Sequence, residues 1–225
     1  MNFGVIVAGG KSERMGPKVD KAFLSLGTKP ILAYSLEAFE KCQDIDGVIL
    51  VVRKDRLEAA RGMVQLYGCS KVKKVIAGGT TRQVSVSNGL AQLNDEVKIV
   101  SVHDGARPFV TPQLISMTIA TAKRYGTGVA AVKITDTVKF VEKGVTVSKT
   151  IDRSKLWAVQ TPQTFKRKLL FEAYDLVEKK KLTVTDEASA VENICEDVRL
   201  VSAPLSNIKI TVPEDLPFAA ALLKL

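Results

Sequence analysis

Residues 3–16 read FGVIVAGGKSERMG, an apolar run that passes directly into two glycines and then into polar residues. The run at 3–7 is short and rich in β-branched side chains, which predicts a buried strand. Two glycines directly after a strand permit a tight turn whose backbone is not covered by side chains. This stretch therefore predicts the strand and loop that begin a wound α/β sheet.

The rest of the chain repeats this alternation of a short apolar strand and an amphipathic helix. Further strands are predicted at 47–52, 72–76, 97–102, 128–133 and 197–202. Helices are predicted at 30–42, 55–67, 82–93, 112–125, 167–180, 185–193 and 213–224. Strands separated by one helix imply right-handed crossovers. We therefore predict one domain over residues 1–225, an α/β fold with a Rossmann-like wound, mostly parallel sheet flanked by helices.

Residues 134–151 interrupt the alternation. Apolar residues alternate on both sides of Glu142-Lys143-Gly144, which predicts a β-hairpin inserted into the wound sheet. An inserted hairpin needs a surface to cover it, either on its own domain or on a partner chain. We favour the second and predict an arm of approximately 134–157 that forms a homodimer.

Composition limits the class of protein. Apolar residues make up 46% of the 225 residues, so a real core is expected. The apolar runs are far too short to span a bilayer, and we expect no signal segment. Three widely spaced cysteines (Cys42, Cys69 and Cys195) form neither a zinc pattern nor a disulfide framework. We therefore predict a cytoplasmic protein without a membrane partner.

Positive charge is in excess, with 33 Lys and Arg against 24 Asp and Glu and a formal net charge of +9. Such a chain favours anionic ligands. Aromatic residues are only 6% and do not alternate with basic ones, so the stacking surfaces of a nucleic-acid-binding module are missing. We predict phosphorylated small molecules rather than nucleic acid as ligands, and the nucleic-acid-binding module is kept as the alternative from another class.

The first loop, Ala8–Gly16, carries glycines that let phosphate oxygens approach the backbone, together with the charges of Lys11 and Arg14. It is not a P-loop, which would need glycine at Val5, nor a dinucleotide fingerprint, which would need glycine at Lys11. A tight turn with only a structural role stays open.

Two later loops also follow predicted strands. The first is Gly78–Arg82, where a threonine can cap the next helix and Ser85 follows. The second is His103–Pro108, in which Asp104 suits a hydrated Mg²⁺ that carries phosphates. An ion pair between Asp104 and Arg107 that only braces the loop is the alternative. Because ligands bind at the carboxyl ends of strands in a wound sheet, we expect these three loops and the segment that carries Lys21 to meet there.

The most specific motifs lie in the second half of the chain. They are Thr150-Ile151-Asp152-Arg153, Leu156-Trp157, Thr161-Pro162-Gln163, Thr185-Asp186-Glu187-Ala188-Ser189 and Asn207-Ile208-Lys209-Ile210-Thr211. With the loops above, and in this order and spacing, the chain resembles the cytidylyltransferases that act on 2-C-methyl-D-erythritol 4-phosphate in the non-mevalonate isoprenoid pathway. The resemblance covers nearly the whole chain. It implies CTP as co-substrate and Mg²⁺ as cofactor.

The resemblance also implies three sets of site residues. The catalytic set is Arg14, Lys21 and Lys209, of which Arg14 and Lys21 resemble the basic pair that grips the triphosphate. The nucleotide-binding set is Ala8, Gly9, Gly10, Gly79, Ser85 and Asp104, with Asp104 also at the metal. The acceptor-binding set is Arg107, Thr161 and Thr185, together with Thr137 and Arg153, which fall on the arm and in this family reach into the partner's active site.

The chain departs from the family pattern at several positions. The first loop usually reads Ala-Ala-Gly-x-Gly-x-Arg-Met, whereas here Gly9 replaces the second alanine and Ser12 the second glycine. The usual Pro-Lys-Gln reads Asp20-Lys21-Ala22, with Pro17-Lys18 nearby. We assign the role to Lys21 because of its fixed distance to Phe23-Leu24. Thr80 and Gly105 are two further departures.

The nearest alternative is the ribitol-5-phosphate cytidylyltransferase group, which shares the loops and Thr161-Pro162-Gln163. Asp152-Arg153, Trp157 and residues 185–188 favour the methylerythritol branch. In either branch a phosphate monoester is largely dianionic at neutral pH, because its second pKa is about 6. The acceptor is then already a nucleophile and needs no general base, which fits a chain with one histidine.

Overall fold

The computed structural model describes residues 1–10, 12–16 and 20–224. The predictions made for Lys11 and for Pro17-Lys18 lie outside the described residues. Strands are β1 (Asn2–Ala8), β2 (Ser25–Leu26), β3 (Lys29–Pro30), β4 (Gly47–Val52), β5 (Val72–Ala77), β6 (Ile99–Asp104), β7 (Thr127–Lys133), β8 (Val138–Phe140), β9 (Lys149–Ile151), β10 (Trp157–Lys166) and β11 (Leu200–Ser202). Helices are α1 (Ile31–Lys41), α2 (Leu57–Leu66), α3 (Arg82–Leu90), α4 (Pro112–Tyr125), α5 (Arg167–Lys179), α6 (Glu187–Val191) and α7 (Asp215–Leu222).

The central sheet has seven strands in the order β11-β7-β10-β6-β1-β4-β5. Four neighbouring pairs are parallel, and β10 is antiparallel to both of its neighbours. The predicted α/β fold with a mostly parallel sheet is therefore confirmed. The structure adds β10, which the sequence did not predict as a strand. Proline lacks the N–H that a sheet interior needs, and the register of β10 against β7 shifts between Val159 and Gln163, on either side of Pro162.

Two helical layers cover the sheet, as the alternation along β1 shows. Ile6 and Ala8 face a cluster that includes side chains of α1, α2 and α4, whereas Val5 and Val7 face a cluster formed with α3, α5 and α6. Each fully buried aliphatic side chain of this kind contributes about 1.5–3 kcal/mol through removal from water. The central strand is thus fixed from both sides, and its carboxyl end is held rigidly at the sheet edge.

The topology places a crevice at one edge of the sheet. From β1 the chain winds outward through β4 to β5 and then returns to place β6 on the other side of β1. Such a reversal leaves an open crevice at the carboxyl ends of the two central strands. The register pairs Val7 with Asp104, so the first loop and the His103–Pro108 loop lie side by side.

The strand that carries Asp104 ends two residues later than predicted. β6 runs from Ile99 to Asp104 instead of 97–102, because it pairs with β1 along its whole length, from Asn2 to Val7. His103 and Asp104 therefore belong to the strand itself and not to the loop after it. This position gives Asp104 a fixed backbone at the mouth of the crevice.

The predicted hairpin is present as β8 and β9, which form a two-stranded sheet of their own. Gly144 in the connection has a φ of 66°, a left-handed conformation that glycine adopts without strain. Phe140, Val145 and Val147 on this hairpin are exposed, and Val145 is 95% accessible. No helix in the described part of the chain is long and apolar enough to cross a membrane.

Candidate active site

A cavity of about 740 Å³ opens at the carboxyl edge of the sheet, where the crevice was expected. It is lined by the ends of β1 and β6 and by residues of the segments that follow β1, β4, β5 and β6. The predicted residues that line it are Ala8, Gly9, Gly10, Lys21, Gly79, Ser85, Asp104 and Lys209. A volume of this size falls in the range of small-molecule sites in proteins.

Asp104 is the electrostatic centre of the cavity. Its Oδ1 accepts a hydrogen bond from Arg82 Nε at 3.0 Å, and its Oδ2 accepts one from Lys209 Nζ at 2.5 Å. Burial alone would raise the pKa of Asp104, but the two cations outweigh it and hold that pKa well below its usual range. Asp104 is therefore a buried, permanently ionised carboxylate between two cations.

The backbone of Asp104 is fixed from behind by β10. Its N–H donates to Thr161 Oγ1 at 3.0 Å, and that hydroxyl also lies 3.1 Å from His103 Nδ1. His103 is fully buried against the ring of Phe39, and burial lowers its pKa to about 3. His103 is thus a neutral, packed side chain.

Lys21 reaches the cavity from a short 3-10 helix, Lys21–Phe23, which Asp20 caps. Its backbone N–H donates to Ser12 Oγ at 3.2 Å, and its Nζ donates to the carbonyl of Ile210 at 3.1 Å. Burial, together with the nearby charges of Lys209 and Arg14, lowers the pKa of Lys21. Three of the predicted cations therefore converge on one region, where an anion would relieve their mutual repulsion.

Arg14 itself lies exposed on the turn Glu13–Met15 and does not line the cavity. It is near enough to Lys21 for its charge to lower the pKa of that lysine.

The loop that delivers Lys209 is tied to β10 and to the strand end. Asn207 Nδ2 donates to Gln160 Oε1 at 2.8 Å and to the carbonyl of Thr161 at 3.0 Å. Arg107 Nη1 donates to the carbonyl of Asn207 at 2.8 Å. Arg107 is buried and does not line the cavity, so in this conformation it holds the loop that carries Lys209.

The opposite wall is built from close-packed glycines. The N–H of Gly79 donates to Ser85 Oγ at 3.0 Å, and that hydroxyl donates in turn to the carbonyl of Thr81 at 2.8 Å. A Cβ on Gly79 would lie 2.1 Å from Val84 Cγ1, which no side chain can tolerate without a shift. A Cβ on Gly9 would lie 3.4 Å from Ser85 Oγ, an ordinary van der Waals contact. Gly79 therefore allows a loop–helix packing that leaves a smooth backbone wall.

Thr185 lies next to the site on the segment before α6. It is exposed and does not line the cavity, but Asp186 beside it caps α6 and accepts a hydrogen bond from Gln163 Nε2 at 2.9 Å. Gln163 Oε1 accepts from the N–H of Ala188 at 2.9 Å. The glutamine of the Thr-Pro-Gln motif thus fastens the Thr185 segment to β10.

The two arm residues are not in the cavity. Thr137 and Arg153 are exposed, and Arg153 Nη1 donates to the carbonyl of Thr135 within the same arm. The structure therefore brings together most of the predicted site residues but leaves this pair apart from the cavity of their own chain.

Arg82 and Glu187 are components of the site that sequence reasoning did not single out. Arg82 lines the cavity, and its Nη1 and Nη2 donate to the two oxygens of the fully buried Glu187 at 2.8 and 2.9 Å. The only sequence signal was the place of each residue inside a quoted motif, since the pair is separated by 105 positions.

The carboxylates that line the cavity decide whether it fits a metal ion. Asp20 accepts from Arg56, Asp55 from Arg53, and Asp104 from its two cations. No cluster of three or more His, Cys, Asp and Glu side chains occurs among the residues that the structure describes. Mg²⁺ usually keeps several waters and takes one or two carboxylates plus substrate phosphates. Asp104, a buried carboxylate with Lys21 and Lys209 nearby, fits an ion that arrives with a nucleotide.

A wound sheet with a glycine wall, converging lysines and a buried aspartate at its carboxyl edge has the features of a nucleotide-binding enzyme. The model of the 2-C-methyl-D-erythritol 4-phosphate cytidylyltransferase (IspD) family matches residues 3–225. The enzyme of that name from Alkaliphilus metalliredigens is 42% identical over 97% of this chain and 91% of its own. That from Dehalococcoides mccartyi is 44% identical over 98% of this chain and 95% of its own.

The solved structures agree with the sequence relatives. The crystal structure of 4-diphosphocytidyl-2C-methyl-D-erythritol synthase from Anaerococcus prevotii superposes with a TM-score of 0.88 at 30% identity and covers 100% of this chain and 96% of that one. The chain belongs to the 2-C-methyl-D-erythritol 4-phosphate cytidylyltransferase family. It is an enzyme that uses CTP, and the resemblance drawn from the motifs is confirmed.

Proposed function

We propose that the chain carries out its family's reaction, the transfer of CMP from CTP to 2-C-methyl-D-erythritol 4-phosphate, by in-line attack of the acceptor's phosphate on the α-phosphorus. The products are 4-diphosphocytidyl-2-C-methyl-D-erythritol and pyrophosphate. The observation that carries this mechanism is the buried, ionised Asp104 with Lys209 and Lys21 beside it at the sheet edge. Catalysis by positioning and charge neutralisation is the general mode of phosphoryl transfer.

No general base is needed in this mechanism. The acceptor phosphate is largely dianionic at neutral pH, because its second pKa is about 6. The only histidine is buried, engaged with Thr161, and has a pKa lowered to about 3. It is therefore a structural side chain and takes no proton from the substrate.

The cations have separate tasks in the proposal. Lys21 and Arg14 neutralise the triphosphate and the charge that develops as pyrophosphate leaves. Lys209 holds the acceptor phosphate, because its ammonium lies partly buried at the cavity, next to Asp104. Stabilisation of developing charge by such preorganised groups is usually the largest single contribution to catalysis.

Asp104 is the proposed ligand of Mg²⁺. When bound, the ion would neutralise the phosphates of CTP and orient them. Asp104 contributes one carboxylate whose backbone is fixed by β6 and Thr161, so its direction is set before the nucleotide arrives. The pairing with Lys209 and Arg82 keeps that carboxylate ionised in the free enzyme.

The remaining predicted residues fall into two subsites. Cytidine is proposed to lie on the backbone wall of Ala8, Gly9 and Gly10 and of Gly79 with Ser85. Acceptor binding is proposed for the region of Arg107, Thr161 and Thr185. The contacts of Arg107 and Thr161 support a holding role, because they fix the Lys209 loop and the Asp104 backbone.

The arm is proposed to complete the site of a second copy in a homodimer. Thr137 and Arg153 are exposed and lie outside their own cavity. Exposed apolar residues on the same arm (Phe140, Val145 and Val147) support a partner surface, because clustered apolar exposure marks interaction sites. An exchange of arms is a closed, two-fold arrangement in which each arm serves the other subunit.

We also propose a cytoplasmic location. Cys42, Cys69 and Cys195 are free thiols, which is usual in a reducing compartment.

The experiment measures pyrophosphate release from CTP and Mg²⁺ with 2-C-methyl-D-erythritol 4-phosphate, with ribitol 5-phosphate, or with no acceptor. We expect release with the methylerythritol phosphate alone. Release with ribitol 5-phosphate alone would keep the chemistry but overturn the acceptor. If folded protein releases nothing with either acceptor, the catalytic assignment is withdrawn. Omission of Mg²⁺ tests the metal, and sedimentation at several protein concentrations tests the dimer.

A further inference from the structure

A buried chain of charges lies directly behind Asp104. Arg82 Nε donates to Asp104 Oδ1 at 3.0 Å, while both Nη atoms donate to the two oxygens of Glu187. Tyr174 Oη adds a hydrogen bond to Glu187 at 3.0 Å. Glu187 is completely buried at the start of α6, far along the chain from Arg82. One guanidinium therefore links the first turn of α3 to the end of β6 and to α6.

The geometry fixes the Arg82 guanidinium in position. A paired, parallel contact between guanidinium and carboxylate restricts both the position and the plane of the guanidinium group. With its Nη atoms held by Glu187, the remaining Nε–H of Arg82 can point in only one direction, which is toward Asp104. The second cation on Asp104 is held differently, because within the described residues Lys209 Nζ donates only to Asp104. Arg82 is therefore the fixed partner of Asp104 and Lys209 the exchangeable one.

Stability alone is a poor reason for such an arrangement. Buried ion pairs add little net stability compared with apolar side chains of similar volume, since both charges lose their hydration. In this chain the pair also faces the cavity, because Arg82 and Asp104 both line it. A rigid support behind a functional carboxylate is a common device for orienting it.

We propose that Arg82, anchored by Glu187, is a positioning residue that fixes the orientation of the Asp104 carboxylate for the Mg²⁺–CTP complex. The inference rests on the proposed role of Asp104 in nucleotide binding. It leaves Lys209 free to exchange Asp104 for a phosphate of the acceptor, because Asp104 keeps one cation when Lys209 departs.

The test compares three variants of the full chain by titration calorimetry with CTP and Mg²⁺ and no acceptor, and then by steady-state kinetics. The double variant Arg82→Gln with Glu187→Gln removes both charges and leaves no buried charge unpaired. Arg82→Lys keeps the charge but loses the planar, paired contact with Glu187 that fixes the direction of the donor to Asp104. Tyr174→Phe is the matched control, because it removes one hydrogen bond to Glu187 and leaves the guanidinium contacts in place.

We expect CTP affinity to fall about 10- to 100-fold in the double variant and in Arg82→Lys, the usual effect of removing an outer support of a ligand-holding group. The KM for the acceptor should change by less than about threefold, and Tyr174→Phe should keep CTP affinity within about twofold. Unchanged CTP affinity in Arg82→Lys would overturn the positioning role, since charge alone would then suffice. An equal rise in the Kd for CTP and in the KM for the acceptor would overturn it as well.

Two features keep this test separate from the proposed reaction and from misfolding. CTP binding without acceptor is readable even if no pyrophosphate is ever released, so failure of the reaction and failure of the positioning role give different results. Should the double variant not fold, Arg82→Lys against Tyr174→Phe still decides the matter.

Discussion

The single buried histidine gives a prediction whose size can be worked out from the structure. His103 has no accessible surface, its Nδ1 lies beside Thr161 Oγ1, and its buried Nε2 has no partner in the described structure. Burial lowers its pKa to about 3 from an ordinary value of 6.5. In mildly acidic solution the histidine therefore binds a proton in the unfolded chain but not in the folded chain. The free energy of unfolding must then fall as the pH decreases below the pKa of the unfolded histidine.

The magnitude follows from linkage. At about pH 7 the histidine of the unfolded chain is mostly neutral, and the neutral, buried His103 lowers the free energy of unfolding by about 0.2 kcal/mol. At about pH 5 it lowers this free energy by about 2 kcal/mol. The loss is therefore concentrated between about pH 6.5 and pH 3, the window between the two pKa values. Since His103 is the only histidine of the chain, no other imidazole contributes.

The assay is urea unfolding of the wild type and two variants across this pH range at one protein concentration. His103→Asn keeps a polar atom near the position of Nδ1, and His103→Phe keeps the ring beside Phe39, but neither can titrate. Both variants change stability at every pH, so the quantity to compare is the change in the free energy of unfolding with pH. We expect the wild type to lose about 2 kcal/mol more than either variant between about pH 7 and pH 5. Parallel curves would refute the neutral, buried histidine.

The other predictions concern the site itself. Lys21→Met should lower kcat about 10²- to 10³-fold with the acceptor KM within about threefold, because the lost charge acts in the transition state; Lys18→Met is the control, and loss of kcat there instead would transfer the role. Arg153→Ala should raise the acceptor KM about tenfold or more and leave CTP binding intact; calorimetry that shows weaker CTP binding would place the arm wrongly. Gly79→Ala should cost about 1–3 kcal/mol of stability and weaken CTP binding, because its Cβ meets Val84. Urea unfolding that shows no loss would contradict the packing argument.

Much of the fold could be predicted from local pattern, because strands buried on both faces are short β-branched runs and the helices between them are amphipathic. β10 escaped this reasoning. Its sequence from Trp157 to Lys166 contains Pro162 and polar residues that are buried by contacts with other parts of the chain, such as Thr164 with Ser101. Its partners are β6 and β7, and no local periodicity predicts an antiparallel strand that lies between two strands parallel to each other.

The site was predictable where a loop followed a strand, and less so where distant side chains meet. Asp104 and Lys21 lie where strand-end reasoning and the resemblance placed them. The contact of Lys209 with Asp104 and the contact of Arg82 with Glu187 each span 105 positions. Such pairings depend on the three-dimensional arrangement of β6, α3 and α6. A charged residue in a sequence gives no sign of which opposite charge it will meet.

The central claim is that the acceptor's phosphate oxygen attacks the α-phosphorus of CTP. The most direct measurement uses 2-C-methyl-D-erythritol 4-phosphate labelled with ¹⁸O in its phosphate, with ³¹P NMR of the nucleotide product and mass spectrometry of the pyrophosphate. The account predicts ¹⁸O in the bridge between the two phosphorus atoms of the product and pyrophosphate free of label. Label in the pyrophosphate, or a product bridge without label, would contradict the proposed attack.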